Sequence, residues 1–164
     1  MKPKLYLETT IPSLLTAWPS RDVLLAGQQQ ATRDWWAQRR KRYQLFISGL
    51  VLAESRRGDP SAATAREQVL SACAVLEYSE EAQILAAKIL STHLLLAKAA
   101  VDAAHIAIAR VHQMDFLLTW NCRHIANAFI RGRLRQLIGA LGYSAPTICT
   151  PEELLQESYE QDNE

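Results

Sequence analysis

The sequence predicts an α/β fold with three layers, α/β/α, in which helices cover both faces of a mostly parallel central sheet. Short apolar segments typical of strands alternate along the chain with longer segments, rich in alanine and leucine, that are typical of helices. Strands separated by helices pair in parallel through right-handed crossovers. The length of 164 residues suits a single core, so we predict one domain over residues 1–158 and a polar tail over 159–164.

The predicted strands are short and apolar. They read KLYLE at 4–8, YQLFIS at 43–48, AVLEYS at 74–79, DFLLTWN at 115–121 and PTICT at 146–150. The third is the weakest of the five. Helical sequence separates each strand from the next, which is the order expected of consecutive crossover units.

The predicted helices have recognisable ends. Ser20 is a candidate cap for a helix that runs to about residue 42, and Ser48 is a candidate cap for the helix after the second strand. A helix is expected to begin at Cys122, directly after the fourth strand, and to close at Gly142. The motif TPEE at 150–153 is a capping box for a last helix. The remaining predicted helices cover 11–18, 60–73, 80–94 and 99–114.

Composition excludes several classes of protein. Hydrophobic residues make up 49% of the chain and charged residues 21%, which argues against a disordered or fibrous protein. Lysine and arginine number 18 against 17 for aspartate and glutamate, so overall charge neither favours nor excludes a nucleic-acid partner. Three widely spaced cysteines predict neither a disulfide framework nor a zinc site and fit a cytoplasmic protein. No apolar stretch reaches the roughly 18 residues of a membrane span, and Glu8 interrupts the apolar N-terminus, so we expect no membrane segment and no signal peptide.

Oxygen-bearing side chains recur where the predicted strands end. Glu8 ends the first strand and Asn121 ends the fourth. Glu54 lies about two turns into the helix after the second strand, and Asp102 lies near the start of the helix before the fourth. Ligands of parallel sheets collect at the carboxyl ends of the strands. We therefore expect these four side chains to converge at one edge of the sheet as the catalytic residues.

Three carboxylates at one point predict a metal ion. Like charges a few ångströms apart repel each other and raise each other's pKa, and a divalent cation removes that cost. Hard oxygen ligands suit Mg²⁺ or Mn²⁺, with water and a substrate phosphate completing an octahedral shell. The predicted ligands are Glu8, Glu54 and Asp102. Such a site suits metal-assisted hydrolysis of a phosphodiester.

Four stretches carry a resemblance to a known family. LYLETTIPS contains Glu8, ISGLVLAES contains Glu54, VDAAHIAIA contains Asp102 and DFLLTWNCRHIAN contains Asn121. In this order and approximate spacing they resemble the PIN-domain ribonucleases, in particular the VapC-type toxins of type II toxin-antitoxin systems. The resemblance implies a PIN-like α/β/α nuclease domain, metal-dependent endoribonuclease activity on RNA, neutralisation by a cognate antitoxin, and a homodimer.

Two positions depart from the pattern of that family. The acid after the first strand is usually aspartate and here is Glu8, whose side chain is one methylene longer. The acid after the fourth strand is usually aspartate and here is Asn121, which can accept or donate a hydrogen bond but supplies no charge. Three formal negative charges favour one metal ion over two. The alternative interpretation is therefore a catalytically weak or inactive PIN-like module that binds RNA or a protein partner.

The residues predicted to contact the substrate lie beside these acids in sequence. Thr9 follows the first acid and Arg123 lies two positions after the amide of the fourth strand. Arg131 and Arg133 belong to the basic cluster RGRLR on the next helix and are placed to guide RNA toward the site.

Other signals have a structural interpretation. RDWWAQRRKR at 33–42 combines tryptophans with basic residues, a pattern that also suits single-stranded nucleic acid. We assign Trp35 to the core and part of the rest to a partner interface. The histidines lack the spacing of a metal site and are assigned to packing: His93, His105, His112 and His124. A receiver-type phosphoryl-transfer domain would need an acid pair on the first strand and a lysine late in the sheet, and neither is evident.

Overall fold

The centre of the protein is a five-stranded parallel sheet. The computed structural model of the chain describes residues 1–92, 99–123 and 125–156. Its strands are β1 Lys4–Leu7, β2 Gln44–Ser48, β3 Ala74–Leu76, β4 Phe116–Leu118 and β5 Thr147–Cys149. They lie in the order β3-β2-β1-β4-β5, and all of their pairings are parallel. The predicted parallel sheet is confirmed.

Helices cover both faces of this sheet. They are α1 Thr10–Thr16, α2 Val23–Gln38, α3 Gly49–Ser55, α4 Pro60–Leu70, α5 Glu80–Ser91, α6 Ala100–Val111, α7 Ala128–Ala140 and α8 Pro151–Gln156. Right-handed crossovers place α1 to α4 on one face and α5 to α7 on the other, because the chain moves in opposite directions across the sheet in its two halves. The packing agrees: α1 contacts α2 and α4, α2 contacts α8, and α5 contacts α6. The three-layer α/β/α architecture is therefore confirmed.

The middle strand β1 is the most deeply buried part of the sheet. Leu5, Tyr6 and Leu7 have no exposed surface, as expected of a parallel strand covered on both faces. Trp35 of α2 is also fully buried and belongs to the same core, as the sequence predicts. The residue that follows β1, Glu8, donates its backbone N–H to the carbonyl of Leu118 at 3.0 Å. The core thus fixes the backbone of the first predicted acid.

Two predicted caps differ in the structure. Asp22 caps α2 by accepting a hydrogen bond from the N–H of Leu25 at 2.8 Å, whereas the predicted cap Ser20 accepts from the N–H of Asp22. Asp22, two residues closer to the helix than Ser20, satisfies the free N–H group directly. Ser48 occupies the N-cap position of α3 but makes no capping bond, because its hydroxyl lies 2.7 Å from the hydroxyl of Tyr6.

The helix after β4 begins later than predicted. The described residues between β4 and α7 form turns, and α7 starts at Ala128 rather than at Cys122. Asn127 caps it by accepting hydrogen bonds from the N–H groups of Phe129 and Ile130. Because Asn127 provides a side-chain cap five residues after the predicted start, the helix begins directly after it.

The ends of the last two helices agree with the sequence. Gly142, after α7, has a φ of +79°, the left-handed conformation that glycine tolerates. At α8 the Glu153 carboxylate accepts from the N–H of Thr150 at 2.8 Å and the Thr150 hydroxyl accepts from the N–H of Glu153 at 3.3 Å, which confirms the capping box. The predicted tail at 159–164, His93 and His124 lie outside the described residues. Within the described ranges, no helix combines the length and the apolar character needed to cross a bilayer.

Candidate functional site

The candidate site lies where the order of the strands reverses. From β1 the chain builds β2 and β3 on one side, and it then returns to build β4 and β5 on the other. Helices leave such a point on opposite faces, and the crevice between them opens at the carboxyl ends of the two central strands. Glu8 directly follows β1 and Thr119 directly follows β4. Both residues therefore stand at the position that parallel α/β sheets use for ligands.

Glu8 is a buried acid held by neutral donors. Its side chain is 5% exposed. Its Oε2 atom accepts hydrogen bonds from the N–H of Thr10 at 3.1 Å, the hydroxyl of Thr10 at 2.5 Å and the hydroxyl of Thr119 at 2.8 Å. Hydrogen bonds to a carboxylate offset much of the cost of removing it from water. The two threonines thus make this unusual burial tolerable and fix the orientation of the side chain.

Glu54 of α3 is held in a similar way, but by a histidine. Its Oε1 atom accepts from the hydroxyl of Thr9 at 2.8 Å and lies 2.9 Å from Nε2 of His105. Burial raises the pKa of Glu54, but the hydrogen bond and charge of His105, the Thr9 hydroxyl and the charge of Arg57 outweigh it, so the pKa lies below its usual value. Glu54 is therefore ionised at neutral pH.

Asp102 and Asn121 form the other side of the site. The side-chain N–H of Asn121 donates to Oδ1 of Asp102 at 2.9 Å. The backbone N–H of Asn121 donates to the hydroxyl of Thr119 at 2.9 Å, and that hydroxyl also donates to Glu8. Asn121 is therefore a direct hydrogen-bond partner of Asp102. The sequence predicts Asn121 at the position of an acid but does not predict this contact.

The structure thus joins the four predicted catalytic side chains through hydrogen bonds and short stretches of backbone. Thr119 and Asn121 connect Glu8 to Asp102, while the consecutive residues Thr9 and Thr10 connect Glu54 to Glu8. The roles of these side chains in catalysis stay predictions. Glu8 and Glu54 also open into a cleft of about 350 Å³, whose other lining residues are Thr9, Thr10, Ser13, Leu14, Leu25, Gln28 and Trp120.

The oxygen atoms of the site fit a hard divalent cation in their chemistry. Protein donors converge on a single oxygen of each glutamate, so that Oε1 of Glu8 and Oε2 of Glu54 accept no hydrogen bond from the described residues. Carboxylate oxygens of this kind are the ligands that Mg²⁺ and Mn²⁺ prefer. Among the described residues, no three His, Cys, Asp or Glu side chains are already gathered as a metal cluster. The ligand set Glu8, Glu54 and Asp102 stays a prediction.

The residues predicted to contact the substrate have different surroundings. Arg123 and Arg133 are exposed. Arg131 donates to the carbonyl of Ile148 at 2.9 Å and pairs with Glu153 at 3.0 Å, so that it ties α7 to β5 and α8. Thr9 and Arg131 are therefore engaged with carboxylates of the protein itself, and contact with a substrate stays a prediction for all four.

Sequence reasoning missed the residues that hold the acids. His105 was assigned to packing, yet it contacts Glu54, and Thr10 was not expected to bind Glu8. One signal was available for His105: it lies three residues after Asp102 in a helix, and residues at that spacing share a face. The bond of Thr10 to Glu8 joins residues two positions apart, whereas that of Thr119 to Glu8 depends on the pairing of β1 with β4, which the sequence does not reveal.

No known family profile matches the sequence, and no curated protein matches it. The solved structures similar to the chain include two from bacterial toxin-antitoxin systems. VapC20 of Mycobacterium tuberculosis, a sarcin-ricin loop cleaving toxin, aligns with a TM-score of 0.59 and 17% identity over 76% of this chain and 95% of its own. VapBC2 of Rickettsia felis, bound to a DNA fragment from their promoter, aligns with a TM-score of 0.58 and 14% identity over 89% of this chain and 97% of its own.

At sequence identities this low, the alignments compare folds and do not match individual residues. Both alignments nevertheless cover almost the whole of the similar structure and at least 76% of this chain. The predicted fold class is confirmed: this chain has the PIN-like α/β/α fold of the VapC toxins.

Proposed function

We propose that this protein is a metal-dependent endoribonuclease that hydrolyses RNA phosphodiester bonds and acts as a toxin neutralised by a cognate antitoxin. The observation that carries the proposal is the connected network of Glu8, Glu54, Asp102 and Asn121 at the strand-order reversal of a PIN-like fold. Ligand sites of parallel α/β sheets are found at this position.

The similar structures support the same function. VapC20 is a toxin that cleaves the sarcin-ricin loop, and VapBC2 is a complex bound to promoter DNA. The first supports an RNA substrate and the second supports an antitoxin partner. Large apolar side chains exposed on the described surface also support binding to other chains, including a second copy in a homodimer. They are Trp18, Val23, Leu24 and Phe129, with exposed fractions from 73% to 92%.

The chemistry follows from the residues of the site. Glu8, Glu54 and Asp102 would hold Mg²⁺ or Mn²⁺, which supplies a water nucleophile of lowered pKa and offsets charge on the phosphate. Thr10 and Thr119 keep the Glu8 carboxylate in place through its Oε2 atom. These neutral donors leave the negative charge of the acid intact, which is what a cation site requires.

The remaining residues of the site bind and orient. Asn121 donates to Oδ1 of Asp102 and restricts the rotation of that carboxylate. Arg123 and Arg133 are exposed and free to move toward phosphates of the RNA backbone, where they contribute affinity that depends on salt. Trp120 lines the cleft beside the glutamates and offers a flat apolar surface against which a base can stack.

Cleavage of RNA by purified protein tests the activity. Protein stripped with chelator is mixed with end-labelled structured RNA, with and without Mg²⁺ or Mn²⁺, beside the variants Glu54→Gln and Glu80→Gln. Glu80 is an exposed acid at the start of α5 and is the matched control. We expect metal-dependent cleavage by the wild type and by Glu80→Gln, with a loss of about 100-fold or more in Glu54→Gln. Cleavage that survives both chelator and Glu54→Gln would contradict the proposal.

Growth of cells that express the chain tests the toxin role. Inducible expression of the wild type should arrest growth, whereas equal amounts of Glu54→Gln should not. Arrest by both proteins would show that toxicity does not come from this site.

A further inference from the structure

A buried chain of polar side chains runs from the interior of the sheet to Glu54. The hydroxyls of Ser48 and Tyr6 lie 2.7 Å apart, and the Tyr6 hydroxyl lies 2.7 Å from Nδ1 of His105. Nε2 of His105 lies 2.9 Å from Oε1 of Glu54. Ser48 and Tyr6 have no exposed surface and His105 is 1% exposed. This row of hydrogen-bonded side chains therefore connects β2, β1 and α6 to one carboxylate of the candidate site.

Such a chain has no evident purpose in stability alone. Apolar side chains of similar shape at the three buried positions would bury as much surface without requiring every donor and acceptor to find a partner. One end of the chain does reach a group that is open to the cleft, because the side chain of Glu54 is 27% exposed. The hydrogen bonds from Ser48 through Tyr6 and His105 therefore act on the position of the Glu54 side chain.

The direction of the hydrogen bonds is set by Glu54. An ionised carboxylate only accepts, so Nε2 of His105 must be the donor. In the neutral ring, Nδ1 then accepts from the hydroxyl of Tyr6, whose oxygen accepts from the hydroxyl of Ser48; in the charged ring, Nδ1 donates to the Tyr6 oxygen instead. Burial raises the pKa of Tyr6 above its usual value, the hydrogen bond with Ser48 lowers it by less than burial raises it, and the charges of Glu8 and Glu54 add to the increase. Tyr6 therefore remains a phenol that can donate.

The two donors to Glu54 bind the same atom. Thr9 and His105 both contact Oε1, and Oε2 accepts no hydrogen bond from the described residues. A carboxylate held through one oxygen cannot rotate freely about its last bond, so its second oxygen is presented in a fixed direction. Histidines that orient a functional group are themselves commonly fixed through their other ring nitrogen.

We propose that His105, held by Tyr6, is a positioning residue that fixes Oε1 of Glu54 and thereby aims Oε2 at the reacting phosphate or its metal ion. The proposal rests on the proposed nuclease function for its effect on rate. The link from Tyr6 through His105 to Glu54 is a property of the folded protein and is testable without any activity.

Kinetics of RNA cleavage test the effect on rate. His105→Leu removes the donor to Glu54, His105→Gln retains a donor at the position of Nε2, and Tyr6→Phe removes only the hydroxyl that fixes the ring. Loss of such an indirect partner costs about 10–100-fold in comparable sites. We expect His105→Leu to lower kcat by that factor with little change in KM, Tyr6→Phe to lower it less, and His105→Gln to recover part of the loss.

A second histidine of α6 provides the control. His112 lies at the C-terminal end of the same helix, where its Nε2 is 2.8 Å from the carbonyl of Glu77. His112→Gln should leave kcat unchanged. A folded His105→Leu variant with the kcat of the wild type would overturn the proposal.

Nitrogen NMR of the imidazole rings tests the link independently of cleavage. We expect His105 to carry a proton on Nε2, with a resonance that shifts in Glu54→Gln, and we expect its Nδ1 resonance to shift in Tyr6→Phe. An unprotonated Nε2 would overturn the proposal even if His105→Leu fails to fold. If the wild type cleaves no RNA, the nuclease function fails while these spectra still decide whether His105 holds Glu54.

Discussion

The two halves of the candidate site are held in different ways. In the glutamate half, Glu8 and Glu54 are fixed by buried side chains, among them Thr119, directly after β4, and His105 of α6, which are 0% and 1% exposed. In the amide half, Asp102 in the first turn of α6 is joined to Asn121, in the turns after β4, and both are only partly buried. The core therefore determines the geometry of one half, whereas elements nearer the surface determine that of the other.

This difference predicts different consequences of mutation. Removing a donor from the glutamate half leaves a buried carboxylate under-satisfied, which costs folding free energy. Removing charge from the amide half leaves groups that water can still reach, so that stability changes little. Variants of the first half should lose stability and activity together, and variants of the second half should lose activity alone.

Asp102→Asn is expected to have the largest effect. The carbonyl oxygen of the new amide can still accept the hydrogen bond from Asn121, so that contact is retained while the negative charge is lost. We expect cleavage of RNA to fall by about 100-fold or more while the melting temperature stays near that of the wild type. Unchanged cleavage would remove Asp102 from the mechanism, and a collapsed circular dichroism spectrum would show that its role is structural.

Thr119→Val probes the glutamate half. Valine has nearly the shape of threonine but removes the donor to Glu8 and the acceptor of the Asn121 N–H. We expect the free energy of unfolding, measured with urea, to fall by about 1–3 kcal/mol because these buried groups lose their partner. Thr147→Val, at an exposed position on β5, is the control and should change it by less than about 0.5 kcal/mol. Equal stability of the two variants would show that Thr119 does not support Glu8.

Asn121→Asp tests the amide half by adding charge at nearly constant size. A second carboxylate beside Asp102 should lower stability without metal and raise the affinity for Mn²⁺, because each additional carboxylate attracts the cation. Cleavage should rise if metal occupancy limits it. Tighter metal binding with slower cleavage would mean that the amide is needed as a donor. If neither affinity nor rate changes, Asn121 does not face the site.

The dependence of stability on pH provides the smallest and most specific effect. The pKa of Glu54 is lowered on folding, so its hydrogen bonds stabilise the protein above the usual glutamate pKa of 4.5, and this stabilisation is lost as the pH falls through the lower folded value. The wild type should therefore melt above Glu54→Gln at pH 7, and the difference should shrink below pH 4.5. A constant difference across that range would mean that His105 and Thr9 do not favour the ionised form.

The sequence predicted the acids better than their supports. Glu8 directly follows β1, as predicted, because the end of that strand is visible as the point where the apolar run stops, whereas Asn121 lies three residues beyond the end of β4 rather than at it. The carboxyl edge of a parallel sheet follows from alternation alone. The bonds of Thr119 to Glu8 and of Tyr6 to His105 join residues 111 and 99 positions apart. Such contacts depend on which strands are neighbours, and no local pattern contains that information.

Short-range signals also failed where a long-range contact competed. Ser48 lies where the sequence predicts a helix cap, but its hydroxyl is hydrogen-bonded to the hydroxyl of Tyr6 on the neighbouring strand. The start of α7 was misplaced because the apolar periodicity continues through the turns after β4, while the cap that decides the start is Asn127. Local propensity fixes the kind of element, and competing partners fix where it begins.

Calorimetric titration of Mn²⁺ into chelator-stripped protein tests most directly whether the two halves form one metal site. The wild type is compared with Glu8→Gln and Glu54→Gln from the glutamate half and with Asp102→Asn from the amide half. We expect saturable binding of Mn²⁺ to the wild type. Its affinity should fall by about tenfold or more in each variant, and a tenfold fall corresponds to about 1.4 kcal/mol of binding free energy. Binding that weakens in both glutamate variants but keeps its wild-type affinity in Asp102→Asn would contradict this prediction, because the halves would then not share a metal ion.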